Sequence, residues 1–354
     1  MPAAGASTER VSYLVRAMGR GTLISALLML LLAAPATAAP PERWQSRAPA
    51  PLPRQEAAFT ELDGKMYLAG GFEHGGAESA RHDVYDVASD TWAMAPPLPE
   101  PAHHLVGVGL GGKVYYLGGL QTLAFRPTGR MWAFDPATGD WSAKAGLPPG
   151  RERGAGAVAV HDGRIIYAGG QRIVHDPLPR RVPVAEVDLY DPATDTWSRL
   201  PDMPTPRDHL GLAVVGDAAY AIGGRKLRFD LPVTATEALD LTTRQWRTDL
   251  APIPTSRGGH ATGVVGGRIF AIGGESPHPQ PPTPLHVHAH DDVEAYDPAE
   301  DAWRPMARMP FGRYGIQAAM HDRGIWIAGG GTGMSVDATD SLAVFFPTAL
   351  RSAR

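Results

Sequence analysis

Short apolar runs recur along the chain, separated by polar stretches rich in Gly, Pro, Asp and Thr. Six of these runs end in a Gly-Gly doublet: 65–71, 114–119, 165–170, 219–224, 269–274 and 325–330. Runs of this length bounded by turn residues predict β-strands. A second element follows each doublet: Val84-Tyr85-Asp86, Ala133-Phe134-Asp135, Leu189-Tyr190-Asp191, Ala238-Leu239-Asp240, Ala295-Tyr296-Asp297 and Val344-Phe345-Phe346. In the first five copies a Trp stands six residues beyond the Asp, at Trp92, Trp141, Trp197, Trp246 and Trp303.

From each Trp to the second Gly of the next doublet the separations are 27, 27, 29, 27, 28 and 27, counting from Trp44. From that Gly to the next Trp they are 21, 22, 27, 22 and 29. One part of the repeat is therefore rigid, and one connection is free to grow. The spacing predicts four strands per repeat. Strand a runs over residues such as Gln55 to Leu62 and turns at Asp63-Gly64, Gly111-Gly112, Asp162-Gly163 or Gly266-Gly267, dipeptides suited to two-residue hairpins. Strand b is the apolar run into Gly-Gly, expected near the crowded axis of a ring. Strand c carries the Tyr-Asp, and strand d the Trp. These aromatics read as core between neighbouring repeats.

The sixth copy lacks its Asp and Trp, having Phe346 and Ser352 there, while Trp44 stands alone at the other end. Glu42 to Arg47 is therefore predicted to supply the last strand d and so remove an open edge. Gly-Gly, Tyr-Asp-Pro, Trp and then Met-Pro-x-x-Arg, at a period near 50, resembles the Kelch repeat over nearly all of residues 39–354. The resemblance implies an all-β fold, a six-bladed Kelch β-propeller closed by the N-terminal strand.

Composition changes this picture little. Gly 41 and Pro 34 suit many tight turns, and a net charge of −4 supplies no basic face for nucleic acid. Cysteine is absent, which excludes disulfides, thiolate catalysis and the Tyr–Cys cofactor of galactose oxidase-type propellers. The pattern Glu-x-x-x-Asp-x-x-x-His of the iron-dependent specifier proteins is also missing. Arg10, Arg16 and Arg20 precede an apolar run from Leu23 to Leu32 and an A-x-A site at Ala36 and Ala38. That reads as a signal peptide over residues 1–38, too short an apolar run to span a bilayer. The mature chain is expected in the periplasm or outside the cell, free of the membrane.

The Kelch resemblance implies a ligand at one mouth of the ring, lined by the lead-in to strand a and by the residues just after Gly-Gly. Candidate ligand-binding residues are Arg207, Asp208, His209, Arg225, Arg257, His260, Glu275 and Tyr314. The recurrent Arg after Pro reads first as scaffold, bonding backbone carbonyls, and second as a carboxylate or phosphate clamp. Arg225 and Glu275 stand where the repeat does not demand them, and blade two carries Glu100 where an Arg is expected. Two long b–c connections add surface: 172–183, and 275–292 with His286, His288 and His290. That histidine tract could hold a divalent ion if extended, but reads more simply as an exposed Pro-rich loop. No metal or cofactor is expected. The ligand is expected to be a protein or a carbohydrate. The chain is also similar to the periplasmic N-acetylneuraminate epimerase (mutarotase) family. That likeness implies an acidic sugar as substrate, with Glu275 or Glu56 as acid/base and Arg225 or Arg207 as carboxylate clamp.

Overall fold

The computed structural model describes residues 42–175, 178–226, 232–278, 286–334 and 336–348. The predicted signal peptide and the Pro-rich stretch 279–285 lie outside them. Residues Glu42–Pro347 form one unit, a closed ring of six antiparallel blades of four strands each, with Arg126–Pro127 added to blade two as a short fifth strand. In the order a to d, blade one is Ala58–Leu62, Lys65–Ala69, His82–Asp86 and Thr91–Ala95. Blade two is His103–Leu110, Lys113–Gln121, Met131–Asp135 and Asp140–Lys144. Blade three is Ala157–His161, Arg164–Ala168, Val187–Asp191 and Thr196–Leu200. Blade four is Gly211–Val215, Ala218–Ile222, Thr236–Asp240 and Gln245–Arg247. Blade five is Ala261–Val265, Arg268–Ile272, Val293–Asp297 and Ala302–Pro305. Blade six is Ala318–His321, Gly324–Ala328 and Leu342–Phe346, completed by Arg43–Arg47 from the other end.

The closing strand pairs in full register, Arg43 with Phe346 through Arg47 with Leu342, and lays Trp44 opposite Phe345 with the rings 5.0 Å apart. Trp44 does there what the other five do. Each indole is half-buried and donates its Nε1–H to a carbonyl just after strand d of the preceding blade. The acceptors are Ala307, Ala48, Pro96, Ala145, Pro201 and Ala251, at 2.7–3.3 Å. Apolar packing follows the same seams. One core cluster joins Phe59, Met66 and Tyr85 of blade one to Trp326, Leu342 and Val344 of blade six.

Strand a, not strand b, is innermost, which corrects the expectation that strand b lies nearest the axis. Small and apolar residues of strand a, such as Gly107, Ala159, Ala213, Gly263 and Ala318, line a central channel of about 440 Å³. The Gly-Gly doublet answers a different constraint. Gly70 and Gly71 have φ of 66° and 92°, and a Cβ there would meet Ala102 O at 2.5 Å and Gln55 O at 2.6 Å. Backbones of adjoining segments touch at that point, so only a residue without a side chain fits.

The recurrent arginine is a staple inside its own blade. Arg54, Arg153, Arg207, Arg257 and Arg313 are fully buried and donate to carbonyls of their own blade's Gly-Gly or c-strand lead-in. Four also pair with an acid on strand c: Asp83, Asp188, Glu237 and Glu294. Blade two has Ala102 and Trp132 at the two positions, so arginine and acid are lost together. Blade six keeps Arg313 against Ala343, and burial without an acid lowers its pKa to about 10. Glu100 is therefore not the substitute for the arginine. It lies two residues earlier and pairs with Arg130.

Candidate functional site

The lead-in to strand a and the residue after Gly-Gly meet in every blade as a short antiparallel bridge. The pairs are Gln55–Phe72, His103–Leu120, Gly154–Gln171, Asp208–Arg225, Gly258–Glu275 and Tyr314–Gly331. One residue further on, Glu56, His104, Ala155, His209, Gly259 and Gly315 form an inner ring around the channel mouth. All six are left-handed, with φ between 53° and 63°. Backbone hydrogen bonds of 2.8–2.9 Å pass around the circle from Gly259 N to His209 O, His209 N to Ala155 O, Ala155 N to His104 O, His104 N to Glu56 O and Glu56 N to Gly315 O. Left-handed backbone costs a non-glycine residue roughly 1–2 kcal/mol. Glu56, His104 and His209 bear that cost at the one place where their side chains converge.

The cluster they form with the bridge residues is buried and polar. Arg225 bonds Asp208 Oδ1 (3.1 Å) and the Glu275 carboxylate. His209 Nδ1 meets Asp208 Oδ1 at 2.5 Å, and His104 Nδ1 meets His103 Nδ1 at 2.6 Å. Glu56 Oε1 lies 3.6 Å from His104 Nε2 and 3.7 Å from His209 Nε2. Burial and then Glu275 push the Glu56 carboxyl up to about 8, and burial raises Glu275 to about 6 against the pull of Arg225. Burial, then Arg225, lowers His209 to about 4, while burial and His103 hold His104 well below the ordinary range. Burial would raise Asp208, but His209 and Arg225 outweigh it and its pKa is lowered. Burial and the facing Glu275 and Glu56 raise the Tyr314 phenol.

The structure brings Asp208, His209, Arg225, Glu275 and Glu56 together, as one group. Tyr314 borders it, its hydroxyl donating to Met334 O at 2.5 Å. Arg207 and Arg257 it does not bring to the mouth. Both are 0% exposed and spent on their own blades. His260 lies past the ring on the channel wall, buried, with neither ring nitrogen hydrogen-bonded among the described residues. Burial, then Arg257, lowers its pKa to about 3. Arg225 is no loose rim residue either, being braced by two carboxylates.

His103 and His104 belong to the lead-in to strand a that the sequence places at the mouth, but they are not among the candidate ligand-binding residues. Counting from the start of strand a puts Glu56, His104 and His209 in one column of the repeat. The histidine tract is not gathered into this group. His290 is buried against Ser276 Oγ (2.9 Å) and Asp292 (3.3 Å), and His288 is exposed.

The b–c connections fold over the mouth as a collar. Blade three's forms a hairpin, Gln171–His175 with Pro179–Pro183, and blade five's pairs Glu275–Pro277 with Val287–Ala289. Phe72 of blade one stacks on His103 at 3.9 Å, and Arg181 of blade three lies 4.4 Å over Phe125 of blade two. Gly75 N donates to Val336 O of blade six at 3.0 Å, and His286 bridges to Met334. The end of the channel at this mouth, lined by Glu56, His104 and His209 from three blades, is the chamber referred to below.

Sequence comparison agrees with this architecture. The family described as the KLHDC2/KLHL20/DRC7 Kelch-repeats domain matches residues 41–224, and the Kelch motif matches 256–310. The chain is 31% identical over 302 residues to the Kelch-like protein terF of Aspergillus terreus, covering 83% of this chain and 65% of that protein. It is 30% identical over 204 residues to alpha-scruin of Limulus polyphemus, covering 56% of this chain and 21% of that one. The chain thus spans less than two thirds of the length of these curated relatives. The solved structure of YjhT superposes with a TM-score of 0.69 at 17% identity, covering 84% of this chain and 96% of that chain, which shows a common fold. With the repeat, the closed ring and the matched domain in agreement, this chain belongs to the Kelch-repeat family of β-propellers.

Proposed function

We propose that this propeller binds a small, hydroxyl-rich ligand of the carbohydrate class in the chamber at its mouth. The observation that carries the reading is Glu275. It is 2% exposed, one carboxylate oxygen holds Arg225, and the other, Oε2, has no hydrogen-bond partner among the described residues. A buried acceptor left open, on a residue bridged to the neighbour of Gly259 at the channel mouth, is where a ligand hydroxyl gains most. Glu56 and Asp208 add further acceptors. A protein partner would instead meet the outer collar, where Leu123 and Leu178 are exposed.

In titration calorimetry, neutral sugars bind, and Glu275→Gln weakens them by ~1.5–3 kcal/mol, the range for hydrogen bonds to charged groups. No binding by any sugar to the folded protein, or equal binding by the variant, would sink this reading. A second reading is anomer exchange of the mutarotase type, favoured by the same unpartnered oxygen acting as proton acceptor. An acidic sugar would then have to draw Arg225 away from Glu275. Here Glu275→Gln slows exchange by about 100-fold or more at saturating sugar. An unchanged rate leaves Glu275 as a binding group alone.

We further propose that the chain is exported by the general secretory route and lies in the periplasm or outside the cell. N-terminal sequencing of the exported protein is expected to begin near Ala39. Recovery of an intact Met1 outside the cytoplasm, or of a wholly cytoplasmic pool, overturns this.

A further inference from the structure

We propose that Glu56, His104 and His209 form a binding site for a divalent first-row transition ion, with zinc as the best match. Their ligating atoms all lie within 4.8 Å of one another. The distances from Glu56 Oε1 to the two Nε2 atoms, 3.6 and 3.7 Å, compare with the ~3.3 Å that separates tetrahedral ligands at zinc bond lengths of about 2.0–2.1 Å. The carboxylate needs to close on each imidazole by only a few tenths of an ångström, and the two imidazoles start within 4.8 Å of each other.

The proton pattern around the histidines is the independent reason. His103 Nε2 meets the carbonyl of Thr122 at 3.2 Å and must carry the hydrogen there. His103 Nδ1 is then an acceptor, so the 2.6 Å contact requires His104 Nδ1 to donate. His104 Nε2 is left as a bare lone pair turned toward Glu56. His209 repeats the arrangement with Asp208, whose carboxylate takes the Nδ1 hydrogen and leaves Nε2 as the ring's acceptor, where Arg225 Nη2 now approaches at 2.8 Å. Two lone pairs and a carboxylate thus face one another, each ring oriented from behind, as outer-shell partners orient metal-ligating histidines.

Arg225 competes for His209: its Nη2 is 2.9 and 2.8 Å from the two ring nitrogens, so an ion at Nε2 requires the guanidinium to release the ring and stay on Asp208 and Glu275. Asp208, Glu275 and Glu78 face Arg225 and Arg181, and Glu56 gives up its proton as the ion binds, so the carboxylates then outnumber the guanidiniums around the dication. The backbone circle holds the three ligands in place. Gly315 leaves the Glu56 carboxylate its room, since a Cβ there would sit 2.7 Å from Oε1. Two imidazoles and one carboxylate suit zinc, cobalt, nickel or ferrous iron better than magnesium or calcium. Three protein ligands leave a coordination position open to the chamber.

The test stands whether or not a sugar binds. The full chain carrying His286→Ala and His288→Ala, so that the surface tract contributes nothing, is stripped of metal and titrated with Co²⁺. One Co²⁺ per chain is expected, with the intense visible absorption of a four-coordinate ion, displaced by equimolar Zn²⁺. Asp208→Asn is expected to weaken binding by about 10–100-fold, and His104→Ala or His209→Ala by more. If either alanine variant fails to fold, the unsubstituted site still decides. Absence of saturable one-to-one binding by folded protein overturns the proposal. So does binding that every folded site variant leaves unchanged.

Discussion

Deleting Glu42–Arg47 is expected to lower the melting temperature by about 5–10 °C or more, with aggregation on heating. The strand supplies five paired residues to blade six, the Trp44 ring on Phe345 and an indole hydrogen bond to Ala307. Glu42 adds a carboxylate acceptor for Ala307 N at 2.8 Å. Truncating a buried Trp alone costs ~3–5 kcal/mol, and the lower end applies to a half-buried one. At roughly 2–4 °C per kcal/mol for chains of this order, that truncation already accounts for the shift. The exposed edge Leu342–Phe346 is apolar and unpaired, a template for association between chains. Trp44→Ala, which keeps the backbone pairing, should fall between the deletion and the intact chain. A deletion that melts like the intact protein would mean that the ring does not need its closing strand.

The arginine staples give the second large effect. Arg207→Ala removes the partner of Glu237, which stays buried with only the Thr205 hydroxyl as donor among the contacts described. Breaking a buried pair from one side costs ~3–5 kcal/mol, because the remaining charge is uncompensated. Arg313→Ala should cost less, since blade six has Ala343 in place of the acid and only carbonyl contacts are lost. Arg207→Ala combined with Glu237→Leu should recover much of the loss, with a coupling energy of up to about 3 kcal/mol. Blade two already carries this solution as Ala102 and Trp132. Denaturant titration of the two single variants and the double measures it. If the single costs simply add, or if Arg207→Ala and Arg313→Ala are equally stable, the pairing is not what stabilises the blade.

What the sequence by itself determined is whatever the repeat states six times. Gly-Gly, Tyr-Asp and Trp recur because every blade must solve the same contact with its neighbour. One copy is therefore checked by five others, and the missing Trp of copy six points to Trp44. The paired lining of the mouth was legible for the same reason. Asp208, His209, Arg225, Glu275 and Glu56 lie where the period puts them.

Tertiary structure decided what depends on direction rather than order. Arg207 and Arg257 adjoin the mouth in the chain, yet their side chains turn inward to the carbonyls and acids of their own blades. The repeat pointed to a scaffold role for this arginine, but which carbonyls and acids it reaches, and that it leaves the mouth entirely, follow only from the direction of the side chain in the folded blade. Strand a proved innermost because its small side chains fit the narrowing space around the axis, a matter of circumference that no single repeat contains. Glu56, His104 and His209 are far apart in sequence and come from blades one, two and four. They meet because closing the ring brings six equivalent left-handed residues to one circle, where Ala155, Gly259 and Gly315 leave the room their side chains use.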